Sequence, residues 1–93
     1  MKLHYEWDSE VIRIEETANG NDTEFTIELM GQKPHDEALR LVQTYFESNK
    51  VHTDVLLYAY PDHRYRVIVR KDYYEEFLLE LMKHKLLRAL EWK

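Results

Sequence analysis

The first thirty residues contain three stretches in which apolar and polar positions alternate, the two-residue period of strands with one buried face. Leu3-His4-Tyr5-Glu6-Trp7 is the first, and Asp8-Ser9-Glu10 interrupts it. Val11 to Glu16 resumes the pattern, with Ile12 and Ile14 on one side and Arg13 and Glu15 on the other. Ala18-Asn19-Gly20-Asn21-Asp22 predicts a turn, because Asn-Gly supplies the positive φ angles of a tight hairpin. Thr23 to Leu29 returns, with Phe25, Ile27 and Leu29 inward and Glu24, Thr26 and Glu28 outward.

Gly31 closes that strand, and the period changes to that of a helix from Pro34 to about Asn49. Ala38, Leu39, Val42, Tyr45 and Phe46 form its apolar stripe. His35, Asp36 and Glu37 fill its first turn, where carboxylates suit the helix dipole. Val51 to Tyr60 and Tyr65 to Lys71 read as two further strands, joined by Pro61-Asp62-His63. Asp72 reads as the cap of a last helix, with Glu75 as its capping-box partner. That helix is expected to run to the C-terminus, about 20 residues or ~30 Å.

The order (β)ββαββα predicts an α+β fold, one domain over residues 1–93. We expect a two-layer sandwich: a mostly antiparallel sheet of four to five strands covered by two helices.

Composition removes several classes of chemistry. The 93 residues include no cysteine, which excludes disulfides, thiolate metal sites and thiol catalysis. That absence fits a reducing, cytoplasmic setting. Residues 1–20 do not resemble a targeting segment, and no apolar run approaches the ~20 residues that span a bilayer, so no membrane partner is expected. The formal charge of −5 is unevenly placed. Residues 1–54 hold twelve acids and five bases, whereas residues 55–93 hold six acids and eight bases. An acidic total argues against general nucleic-acid binding, which depends on neutralising phosphates.

Glycine-rich phosphate loops, nucleophile elbows, His-Glu-x-x-His and calcium loops are absent, so no catalytic residue is assigned and the chain reads as a non-enzyme. Imidazole and carboxylate meet in sequence at His35-Asp36-Glu37, His52/Asp54 and Asp62-His63, yet no pair has helical metal-clamp spacing. These residues read as turn, cap and surface groups. No metal or cofactor is assigned.

The second hairpin is the most suggestive segment. A three-residue turn at Pro61-Asp62-His63 sets Tyr60 opposite Arg64. One face then carries Val55, Leu57, Ala59, Tyr65, Val67 and Val69, and the other carries Leu56, Tyr58, Tyr60, Arg64, Arg66, Ile68 and Arg70. A turn one residue shorter or longer would send Tyr58 and Tyr60 into the core instead. Tyrosine and arginine are enriched at binding hot spots through amphipathic area and forked hydrogen bonding. Tyr58, Tyr60, Arg64, Arg66 and Arg70 are therefore the candidate binding residues.

The expected function is a small accessory or regulatory domain that binds another protein. The alternatives are a single-stranded nucleic-acid binder using the same face and an enzyme with a non-obvious His/carboxylate site. The long last helix carries a wide leucine arc, so Leu79, Leu86 and Leu90 are candidates for a homodimer contact.

Overall fold

The computed structural model describes residues 2–30, 33–48 and 55–93. It contains strands β1 (Leu3–Glu6), β2 (Ile12–Asn19) and β3 (Asp22–Leu29), then helix α1 (Lys33–Ser48). Strands β4 (Val55–Tyr60) and β5 (Arg64–Arg70) follow, then a 3-10 turn (Lys71–Tyr73), helix α2 (Tyr74–Lys83) and strand β6 (Ala89–Trp92). Gly31, Asn49 and positions 51–54, including His52 and Asp54, lie outside the described residues.

The fold is α+β, and the sandwich expected from the pattern is present. Strands β2, β3, β5 and β4 form an antiparallel sheet in that order. Alternation decides its faces. Ile12, Ile14, Phe25, Ile27, Leu29, Val55, Val67 and Val69 all point to one side and are buried there. Leu39, Val42 and Phe46 of α1 and Phe77, Leu78 and Leu81 of α2 complete the same core. Phe77 is its aromatic centre, with ring centroids 4.9 Å from Phe25 and 6.2 Å from Phe46.

The β2–β3 turn is centred one residue later than the Asn-Gly reading implied. Asn19 pairs with Asp22, leaving Gly20 and Asn21 as the two turn residues. Gly20 is the first of them, at φ +64°, and Asn21 keeps a negative φ. A glycine at the first central position is the mark of a type II′ turn.

The last helix departs from its expected length: α2 has 10 residues and stops at Lys83. Lys85 takes the left-handed conformation at φ +63°. Its N–H donates to the Met82 carbonyl at 3.0 Å, and the Leu86 N–H donates to Leu81 at 2.9 Å. These two bonds are a Schellman stop with lysine where glycine usually sits. Leu81 and Leu86, at the two positions whose apolar contact commonly accompanies that motif, are both buried. The chain then reverses into β6, which pairs with β1 in a two-stranded antiparallel ribbon. Backbone bonds between Lys2 and Lys93 close the ribbon at its end. The start of α2 also differs, since Tyr73 is its cap residue and makes no side-chain bond. Asp72 instead lies within the 3-10 turn, so the expected capping box does not form.

Candidate functional site

Both helices lie against one face of the four-stranded sheet, and no described element covers the other. The register brings the uncovered face into cross-strand rows. In the order β2, β3, β5, β4, the first row reads Arg13, Glu28, Arg64, Tyr60. The second reads Glu15, Thr26, Arg66, Tyr58, and the third reads Thr17, Glu24, Ile68, Leu56. A fourth, shorter row carries Asn19, Asp22 and Arg70.

The Tyr/Arg arrangement follows from the three-residue turn, which sets Tyr60 opposite Arg64 and Tyr58 opposite Arg66. Two of the three turn residues, Asp62 and His63, adopt positive φ angles of 65° and 60°. Such angles cost about 1 kcal/mol or more each outside glycine, so contacts elsewhere must hold the turn. Two contacts do so. The His63 carbonyl accepts from the Leu29 N–H at 2.9 Å, and His63 Nδ1 lies 2.8 Å from Asp36 Oδ2.

Asp36 belongs to the first turn of α1 and also accepts from the Tyr65 hydroxyl at 2.5 Å. Burial and that carboxylate push the Tyr65 hydroxyl up to about 12. Asp36 thus clamps the hairpin tip, β5 and α1 together. Here, among the described residues, His63 of the turn meets Asp36 of the His35-Asp36-Glu37 run. Among the described residues, no group of three or more His, Asp or Glu side chains is placed to hold a metal ion. No described helix is long and apolar enough to cross a membrane.

All five candidate binding residues lie on the uncovered face. Tyr58 and Tyr60 are 46% and 49% exposed, beside arginines that are also exposed. Arg66 Nε contacts Glu24 Oε1 at 2.5 Å, and Arg64 Nε lies 3.8 Å from Glu28 Oε2. Neither acid was singled out from the sequence, because which strand lies beside β5 is a matter of sheet order. Outward alternation in β3 was the only available signal. Counted across its rows, the face carries four arginines and four acids. A shallow concavity of about 570 Å³ lies near its hairpin end, lined by Thr26, Tyr60, Pro61, Asp62, Arg64 and Arg66 among others.

The three residues assigned to a dimer contact are not brought together on one exposed stripe. Leu79 is 55% exposed on α2, whereas Leu86 is 1% exposed and belongs to the core. Leu90 sits on β6, partly buried against that core. The overhanging helix that motivated their grouping is absent, because the chain turns back at Lys85.

A second polar cluster ties the ribbon to the main sheet. Tyr5 and Tyr74 both donate to Glu16 Oε1 at 2.9 Å. Burial, then the carboxylate, pushes both hydroxyls well above the ordinary tyrosine range. Tyr45 of α1 donates to Glu76 of α2 at 2.8 Å, and that bond raises its hydroxyl in the same direction.

The described residues define a small domain with one covered and one bare sheet face. No protein-family model matches the chain, and no curated protein or solved structure matches it.

Proposed function

We propose that this chain is a non-catalytic protein-recognition domain and that the bare sheet face is its binding surface. The observation that carries this reading is the composition of that face. Exposed Tyr58 and Tyr60 flank arginines that are already engaged by Glu24 and Glu28. Aromatic area beside balanced charge suits a protein surface of mixed polarity, where tyrosine and arginine serve as anchors. A polyanion would have to compete with the β3 carboxylates for the Arg64 and Arg66 guanidiniums, which weighs against the single-stranded nucleic-acid reading. The His63–Asp36 pair is accounted for as a clamp on the hairpin tip, and the face needs no catalytic group to work.

The test is affinity capture by the tagged chain, with nuclease treatment and with the variant Tyr58→Ala/Arg66→Ala/Arg70→Ala. A stoichiometric protein retained after nuclease by the original chain and lost by the variant supports the reading. Retention by the variant places the contact elsewhere. Loss of all bound material on nuclease treatment favours nucleic acid instead.

A further inference from the structure

We infer that the occupant of the bare sheet face is a second copy of this chain, related by a twofold axis parallel to the strands. The inference rests on the reading of that face as a protein-binding surface. It comes from the cross-strand rows rather than from any single residue.

The sheet order β2-β3-β5-β4 has its midpoint between β3 and β5. A twofold axis lying in the interface, parallel to the strands and over that midpoint, keeps every row level with itself and reverses it. Strand β3 then faces β5 of the other copy, and β2 faces β4. In the first row Glu28 faces Arg64 of the second copy, and Arg13 faces the ring of Tyr60. In the second row Glu15 faces the Tyr58 hydroxyl, and Thr26 faces Arg66. In the fourth row Asp22 faces Arg70. Each contact occurs twice, as a closed isologous interface requires. The third row is the poorest match, setting Glu24 against Ile68 and Thr17 against Leu56.

The alternative in-plane axis, perpendicular to the strands, is disfavoured by the same rows. It lays each strand over itself, so the acids of β3 meet acids and the arginines of β5 meet arginines. Charge therefore selects the strand-parallel axis. Aligned sheet-on-sheet packing is also the ordinary way for two such faces to meet.

Size sets the expected strength. Four strands about 4.8 Å apart and seven residues at ~3.4 Å give roughly 450 Å² of flat sheet per copy. That is small beside the ~800 Å² per partner of a standard interface, so association is weak and salt-sensitive.

Sedimentation velocity up to high micromolar concentration tests the inference with two charge-reversed chains. Arg64→Glu/Arg70→Glu makes the two central strands acidic, and Asp22→Arg/Glu28→Arg makes them basic. The unmodified chain is expected to self-associate and to dissociate as salt rises. Each reversed chain alone is expected to be monomeric, and an equimolar mixture is expected to form a one-to-one complex. Arg13→Ala, a milder change on an exposed position, is expected to weaken self-association roughly tenfold, because two cation–π contacts are lost. Circular dichroism checks that every variant is folded. A monomeric original chain overturns the inference, as does a mixture of folded reversed chains that forms no complex. If the original chain is monomeric yet still captures a protein through Tyr58, Arg66 and Arg70, the second copy is refuted and the protein-binding reading stands.

Discussion

Replacing Leu86 with alanine tests where the chain stops being helical. Leu86 follows the Schellman stop and is 1% exposed in the core. The substitution deletes three carbons, about 2.4 kcal/mol of transfer free energy at ~0.8 kcal/mol per carbon. The cavity left behind raises the loss to about 3–4 kcal/mol. A domain of this size has roughly 5–14 kcal/mol of stability in all, so the loss is a large share of it. At ~4–8 °C per kcal/mol, the melting temperature should fall by about 12–30 °C. Urea unfolding followed by tryptophan fluorescence measures the free-energy loss, with Trp7 and Trp92 as reporters, and a thermal melt by circular dichroism measures the temperature shift. Leu79→Ala is the matched control, because Leu79 is 55% exposed and should cost no more than ~0.5–1 kcal/mol. If the two substitutions cost the same, or if Leu86→Ala costs under ~1 kcal/mol, the placement of Leu86 in the core is wrong. A helix continuing past Lys85 would then be the better account.

Other outcomes follow from the same geometry. Lys85→Gly should raise stability by up to ~1 kcal/mol by relieving the left-handed residue at the helix stop, whereas Lys85→Val should lower it by ~1–3 kcal/mol; urea midpoints decide. Gly20→Ala should cost about 1–3 kcal/mol from backbone strain alone, since a β-carbon there meets nothing within 4 Å. Tyr65 is raised from 10 to about 12 in the fold, which favours its neutral form. That contribution is complete below pH ~10 and is lost as pH rises through ~12, so alkaline unfolding should begin in that window. Tyr65→Phe should lose less stability across it, and tyrosinate absorbance should show Tyr5, Tyr45, Tyr65 and Tyr74 ionising late. Simultaneous ionisation of all seven tyrosines near pH 10 in folded protein would contradict these environments.

Much of this fold is carried by local pattern. The alternation of Ile12, Ile14, Phe25, Ile27, Leu29, Val67 and Val69 determines which side of each strand is buried, because successive side chains point to opposite faces. The helical spacing of Leu39, Val42 and Phe46 determines the buried side of α1 in the same way. Pro61-Asp62-His63, read as a three-residue turn, places Tyr58, Tyr60, Arg64, Arg66 and Arg70 together on the outer side.

Tertiary structure decided the rest. Sheet order sets the acids of β3 beside the arginines of β5, and pairing between strands distant in sequence leaves no local mark. Asp36 meets His63 and Tyr65 only because α1 packs over the second hairpin. The end of α2 was hidden for a different reason. Leucines at helical spacing continue through Leu86, Leu87 and Leu90, and no glycine or proline interrupts them. Lysine at the left-handed position is locally unfavourable. Burial of Leu86 and Leu87, and pairing of β6 with β1, compensate that cost, and both gains exist only once the whole chain has folded.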